Sequence, residues 1–340
     1  MRIALVSDAW SPQVNGVVRT LTTTVELLRQ GGHVVETVTP DGFPTLPCPS
    51  YPEIRLALGS GRGVRRRLEA FAPEAVHIAT EGPLGWAARR WCVATGRPFT
   101  TSFHTRFPDY LAVRTRLPAD LFWASFRRFH AQAERVFVAT PTLEAELRAR
   151  GLTRLHRWGR GVDLALFGPD GERLAEMAGL PGPIMLHVGR VAPEKNIEAF
   201  LALDLPGSKV VVGDGPALAT LRRRYPEVLF LGALRGERLA AAYRSADVFV
   251  FPSLTDTFGL VMAEALASGV PVAAYPIAGP LDVVTPGAGV LDADLATAVR
   301  GALILDRSDV AAAGRQFDWS RCTRQFLDGL TTATPYAQAA

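Results

Sequence analysis

The sequence predicts an α/β protein made of two Rossmann-like, doubly wound parallel-sheet domains that face a cleft. Three observations predict it. Short β-branched apolar runs alternate with helical stretches. The alternation restarts after about residue 182. The chain has 340 residues and is 48% hydrophobic, more than one core ordinarily organises. Strand-helix-strand repetition implies right-handed crossovers and parallel sheets covered on both faces.

In the first half the strand-like runs are RIALVSD (2–8), VVETVTP (34–40), AVHIAT (75–80), PFTTSF (98–103) and RVFVAT (135–140). RTLTTTVELLRQGG (19–32) and PLGWAARRWCVATG (83–96) read as helices. Each stops at a glycine, the residue that best tolerates the left-handed conformation closing a helix. In the second half IMLHVGR, KVVVGDG, VLFLGA, VFVFPS and VPVAAY read as strands with helices between. The stretch 163–183 is rich in Gly and Pro and reads as the linker, and 317–334 as a final helix. The expected division is 1–168, 169–316, and a C-terminal helix and tail over 317–340.

Composition removes several function classes. Three cysteines, Cys48, Cys92 and Cys322, are too dispersed for a disulfide framework or a metal knuckle. The six histidines show no ligand spacing, so no structural metal is expected. No apolar run reaches the roughly 18–20 residues of a membrane-spanning helix. The N-terminus enters a strand directly, without a signal-peptide pattern, so a cytoplasmic protein is expected. Residues 1–165 carry 22 Lys and Arg against 14 Asp and Glu, and residues 166–340 carry 15 against 19. A basic first half points to an anionic surface or substrate on that side. No interleaved aromatic-basic motif marks nucleic acid as a partner.

In doubly wound folds ligands bind beyond the carboxyl ends of the strands, so the loops there carry the candidate chemistry. The first, SDAWSPQVNGVVRTL, has only Gly16 where a dinucleotide fingerprint needs three glycines, which disfavours a nicotinamide enzyme. Asn15-Gly16 is a turn pair able to bring backbone N–H groups to a ligand at the start of the next helix; an ordinary loop is the plainer alternative. LHVGRVAPEKN ends a strand at Gly189 and then offers Arg190 and Lys195, two cations able to grip a diphosphate. A solvated basic loop is the alternative there. The stretch PSLTDTFGLVMAEALASGVPV places Asp256 in a loop and Glu264 inside a helix beginning near Leu260 and stopping at Gly269. Residues 256–259 present N–H groups and a positive helix end, suited to a phosphate. Helix capping alone accounts for Asp256. It does not account for Glu264, flanked by Met262, Ala263, Ala265 and Leu266. His104 follows a strand in TSFHTRF, and Arg160 and Asp163 sit just before the linker.

Taken together, these motifs with EGPLGWAARR, GRGVD and VGDGP resemble glycosyltransferase family 4, retaining enzymes of the GT-B fold. The resemblance covers nearly the whole chain. It is strongest to the bacterial branch of GDP-mannose-dependent mannosyltransferases and sulfoquinovosyl- and glucosyl-diacylglycerol synthases. The resemblance implies an N-terminal acceptor-binding domain, a C-terminal sugar-nucleotide-binding domain, and a last helix returning to the first domain. It implies that Glu264 holds the nucleotide ribose and Asp256, where the family has glutamate, holds hydroxyls of the transferred sugar. Arg190 and Lys195 match the family's diphosphate clamp. Phe258, Gly259 and Leu260 match the segment whose backbone faces sugar and phosphates. Gly16 matches the glycine loop near the donor phosphates, and His104 the histidine near the reacting centre.

The implied reaction moves a hexose from GDP-mannose or a UDP-hexose to an acceptor hydroxyl with retention, without cofactor or metal. The protein then works by positioning and electrostatic stabilisation. A lipid acceptor is expected. Arg62, Arg65 and Arg66 share one face of a helix whose other face carries Val64, Leu68 and Phe71, an arrangement suited to an anionic membrane surface or to plain solvent. LFWASFRRFH (121–130) is a second interfacial candidate or a buried helix. A saccharide acceptor, a nucleotide-sugar epimerase and a non-catalytic sugar-nucleotide binder remain alternatives on the same fold.

Overall fold

The structure, a computed structural model, describes residues 1–13, 15–48, 51–254, 256 and 258–333. The chain divides into two compact units, Met1–Gly159 with the C-terminal residues from Ser320, and Arg160–Trp319.

The first unit contains β1 (Arg2–Val6), α1 (Gly16–Gln30), β2 (Val34–Val38), β3 (Thr45–Cys48), β4 (Tyr51–Ala57), α2 (Ser60–Phe71), β5 (Ala75–Ile78), α3 (Pro83–Ala94), β6 (Thr100–Phe103), α4 (Phe107–Thr115), α5 (Ala119–His130), β7 (Arg135–Val138), α6 (Pro141–Ala149) and β8 (Leu155–Arg157). Its six-stranded sheet runs β2-β1-β5-β6-β7-β8, all parallel, with β3 and β4 as a separate antiparallel ribbon. Ile3 to Val6 are fully buried, as befits a strand covered on both faces.

The second unit contains β9 (Ile184–Val188), α7 (Ile197–Leu201), β10 (Ser208–Val212), α8 (Leu218–Arg224), β11 (Leu229–Gly232), α9 (Gly236–Ser245), β12 (Val248–Phe251), α10 (Leu260–Ala267), β13 (Val272–Ala274), α11 (Ala278–Val283), β14 (Gly289–Leu291), α12 (Leu295–Ala302) and α13 (Arg307–Gly314). Its parallel sheet runs β11-β10-β9-β12-β13-β14. In each sheet the strand order reverses once, between β1 and β5 and between β9 and β12. A crevice opens at such a reversal, because the loops leaving the two strands run in opposite directions.

The last helix, α14 (Trp319–Gly329), packs on the first unit, as the resemblance implied. Phe326 is fully buried, with ring centroids 4.9 Å from His77, 5.6 Å from Phe137 and 5.0 Å from Trp158. Gln325 accepts from the backbone N–H of Gly159 at 2.9 Å. His77, fully buried on β5, bonds the hydroxyls of Thr100 and Ser102, each at 2.8 Å. Burial lowers its pKa to about 3, which keeps the ring neutral.

Three expectations are corrected. The stretch 163–183 is not a free linker. Phe167 and Met177 are buried, and the Arg244 guanidinium, itself buried, donates to the carbonyls of Leu166 and Glu172. The boundary consequently falls after Gly159 rather than at 168, and the second unit extends past 316 to Trp319, with Val162 N–H bonded to the Phe317 carbonyl. The β3–β4 ribbon, β8 and β14 have no counterpart among the expected strands.

Candidate active site

In the second unit the reversal lies between β9 and β12, and both expected motifs leave the sheet there. Gly189 follows β9, its N–H bonded to the Val212 carbonyl at 3.0 Å. Gly213 follows β10 with φ at 144°, and a Cβ on it would lie 1.8 Å from the Gly189 carbonyl oxygen. Only glycine lets these two loops lie so close. Beyond Gly189, Asn196 adopts φ of 51° and its side-chain amide donates to the Pro252 carbonyl at 3.1 Å, tying the β9 loop to the β12 loop.

That tie sets Lys195 against Asp256. The ammonium lies 2.8 and 2.7 Å from the two carboxylate oxygens, so both are engaged by one cation. The side chains are about a quarter and a fifth exposed, at 26% and 21%. The pair is therefore partly desolvated yet reachable from solvent. Arg190 is half-exposed and lies 3.6 Å from Glu194, one turn further along its loop.

The β12 loop then feeds α10. Gly259 caps it with φ of 80°, a left-handed conformation that favours glycine. Phe258 is buried, with its ring edge-on to Phe317 at 5.9 Å. Leu260 begins the helix, as expected, and Gly269 follows its end with φ of 70°. Glu264 is 1% exposed, and one of its carboxylate oxygens accepts from the Tyr243 hydroxyl at 2.9 Å. Tyr243, on α9, is itself fully buried against Phe167 and Phe249. Burying a carboxylate is costly without such a donor. His187, on β9, is also buried, with Nδ1 3.1 Å from the Val250 carbonyl. Its pKa is lowered to about 4, by burial first and by Lys195 in addition, against opposing effects of Val250 and Asp256.

In the first unit the reversal between β1 and β5 is closed by Asp8, a residue the sequence reading passed over. Its carboxylate accepts from the N–H groups of Leu84 and Gly85 at 2.9 and 3.2 Å and from the Thr80 hydroxyl at 2.9 Å. The β1 loop is thereby bound to the start of α3. Burial raises the Asp8 pKa to about 6 despite these bonds. Asn15 caps α1 by accepting from Val18 N–H at 3.0 Å, and Gly16 is the helix's first residue. His104 follows β6, nearly buried, with its ring edge-on to Trp158 at 5.7 Å. Asp163 caps its own turn through the N–H groups of Ala165 and Leu166.

The structure thus brings Gly189, Arg190, Lys195, Asp256, Phe258, Gly259, Leu260 and Glu264 onto the second unit, around one strand-order reversal. Asn15, Gly16, Arg62, Arg65, Arg66 and His104 lie on the first. Among the residues missed, Tyr243 left no signal in the sequence, because its partner lies 21 positions away on another helix.

Two parallel-sheet α/β units, each with one strand-order reversal, have the architecture of the GT-B class. Residues 14–166 match the family described as Glycosyltransferase Family 4, and residues 182–313 match Glycosyl transferases group 1. A GDP-mannose-dependent alpha-mannosyltransferase of Mycobacterium tuberculosis is 35% identical over 309 residues, covering 84% of this chain and 82% of its own length. Sulfoquinovosyl transferase SQD2 of Arabidopsis thaliana is 30% identical, covering 76% and 56%. Among solved structures, sucrose-phosphate synthase of Thermosynechococcus elongatus shares the fold with a TM-score of 0.78 at 23% identity, covering 96% of this chain and 97% of its own. The chain belongs to glycosyltransferase family 4, and it is a hexosyltransferase.

Proposed function

We propose that the protein transfers a hexose, with retention and without a metal, from GDP-mannose to a hydroxyl of a membrane glycolipid. The observation that carries this reading is the Lys195–Asp256 pair at the reversal between β9 and β12. Such a pair is a closed clasp. A donor pyrophosphate replaces the carboxylate on Lys195, and the freed Asp256 accepts from hydroxyls of the sugar. Exchanging one anion for another on the same ammonium avoids desolvating a lone charge. Glu264, oriented by Tyr243, takes the ribose hydroxyls, while Arg190 and the N–H groups opening α10 meet the charge that grows on the leaving diphosphate. That diphosphate accepts the acceptor's proton as the new glycosidic bond forms on the same face. His104 contacts the sugar near the reacting carbon, and Asn15 and Gly16 border the acceptor hydroxyl.

GDP-mannose is supported by the names of relatives at 35 and 36% identity, both GDP-mannose-dependent mannosyltransferases. A lipid acceptor is supported by the name of a relative in Streptococcus pneumoniae, an alpha-monoglucosyldiacylglycerol synthase at 29% identity. No helix among the described residues is long and apolar enough to cross a membrane. Peripheral attachment at the inner face of the membrane, through α2, goes with the proposed lipid acceptor. There Val64 and Leu68 are buried and Arg62, Arg65 and Arg66 exposed. The face is less cationic than the sequence alone implied, because Arg65 pairs with Glu69 at 2.8 Å.

A thermal-shift panel of nucleotides and nucleotide sugars, run in EDTA, tests the donor. GDP and GDP-mannose should raise the melting temperature most, following RT ln(1 + [L]/Kd). Stabilisation only after Mn²⁺ or Mg²⁺ is added contradicts the metal-free reading. Flotation with anionic and neutral liposomes tests the membrane. Equal binding to both contradicts it, and serine at positions 62, 65 and 66 should weaken binding to the anionic ones.

A further inference from the structure

A second surface of the first unit joins α5, an interfacial candidate in the sequence, to α3 and the start of α2. Two adjoining cavities of about 490 and 810 Å³ share Trp86 and Arg90, both on α3. The smaller reaches α5 at Ser125 and Arg128, and the larger reaches the start of α2 at Arg62. Together they form one groove across three helices. None of the residues lining it is acidic. Among the described residues, no carboxylate lies within 4.0 Å of the guanidinium groups of Arg62, Arg90 or Arg128. Elsewhere in this unit arginines do find acids: Arg106 meets Asp109 and Glu146, and Arg148 and Arg157 meet Glu144.

Part of the groove is tied down by hydrogen bonds and ring contacts. Arg89 donates to the carbonyls of Arg128 and Phe129 at 2.8 and 2.9 Å and to the Gln132 side chain at 2.8 Å, and lies 5.3 Å over the Trp86 ring. Trp86 stands edge-on to buried Phe129 at 5.1 Å. Burial lowers the pKa of Arg89, and the neighbouring Arg128 lowers it further, so like charges crowd here. An anion in the groove relieves that crowding. The groove also has an apolar rim. Leu58 lines the larger cavity and is 47% exposed. A free phosphate has no use for such a rim or for the Trp86 ring.

We propose that this groove binds the phosphodiester headgroup of an anionic glycerophospholipid, with the phosphate between Arg90 and Arg128 and the glycerol backbone against Trp86. The site is separate from the outward face of α2 carrying Arg65 and Arg66. The proposal rests on the reading of the first unit as the membrane-facing one, and its test keeps the two apart.

The full-length protein is titrated with dihexanoyl phosphatidylglycerol below its micellar concentration, following tryptophan fluorescence, with dihexanoyl phosphatidylcholine and inorganic phosphate as separate arms. A saturable change is expected with phosphatidylglycerol alone, absent in Trp86→Phe and weakened at least tenfold in the Arg90→Ser, Arg128→Ser double variant. The substituted arginines are exposed, so thermal melting of that variant should match the parent. Arg65→Ser, Arg66→Ser should leave the change intact while reducing flotation with anionic vesicles. An equal response to phosphatidylcholine, saturation by inorganic phosphate over the same range, or full binding by the Arg90, Arg128 variant overturns the site. If that variant keeps both signals while the Arg65, Arg66 variant loses flotation, membrane docking stands and the groove does not. If no form of the protein binds anionic vesicles, the membrane reading itself fails.

Discussion

The two strand-order reversals are built alike and finished differently. Each has an acid in a loop beyond a central strand. In the first unit that acid, Asp8, is spent on backbone N–H groups and a threonine hydroxyl and is 5% exposed. In the second, Asp256 is held by Lys195, and both remain partly exposed. A carboxylate bonded to backbone amides is a structural bolt, because nothing that enters from solvent offers those amides a better partner. A carboxylate held by a flexible ammonium is exchangeable, because a phosphate is an equally good partner for the ammonium. Asp8, beyond β1, is thus bolted into its own unit, whereas Asp256, beyond β12, keeps a partner that another anion can take.

The comparison is broken most severely at Lys195. Lys195→Ala should lower kcat/KM by about a hundredfold to a thousandfold, the range seen when a preorganised charge is removed from a site of group transfer. Asp8→Asn should leave the donor KM unchanged, and steady-state kinetics on both variants checks the contrast. Next comes acid stability. The folded pKa of His187 is lowered to about 4 from 6.5, so the stability it contributes is present above pH 6.5 and is lost as pH falls toward 4. The full span is on the order of 3 kcal/mol. Asp8 has the opposite sign. Its folded pKa is raised from 3.8 to about 6, so its contribution is present below pH 3.8 and lost as pH rises through 6. Denaturant melts between pH 4 and 7 should show His187→Asn flattening the acid-side slope and Asp8→Asn steepening it. A smaller effect is expected at Tyr243. Tyr243→Phe keeps the ring but removes the bond to Glu264, which should raise the donor KM about tenfold, or about 1.4 kcal/mol, with kcat little changed. Smallest of all, Arg65→Ala breaks an exposed pair and should move stability by no more than about 0.5 kcal/mol in a thermal melt.

Much of this was legible in the sequence, for physical reasons that also mark the limits. The central strands are buried on both faces and so read as unbroken β-branched runs, which fixes the loops that follow them. Lys195, Asp256 and Glu264 were found that way, since charge in or beside an apolar run needs a partner. Their pairing was not legible. The sequence assigns Lys195 and Asp256 to different parts of a donor, and the structure shows them holding each other. Tyr243 reads as one aromatic in an alanine-rich helix, and only tertiary packing brings it to Glu264. The segment 163–183 misled because Gly and Pro report where regular backbone breaks, not whether the chain beyond it docks. Phe167 and Met177 dock fully. The β3–β4 ribbon was hidden by its prolines, Pro47 and Pro52, which strands tolerate only at edges. For β8 and β14, three residues give too little alternation to detect.

Calorimetric titration of GDP-mannose in EDTA, into the parent and into Lys195→Ala, addresses the exchangeable clasp most directly. The expected result is metal-free binding by the parent that weakens at least tenfold in the variant. Equal affinity in the two proteins, or no binding by the parent until a divalent metal is restored, contradicts the account.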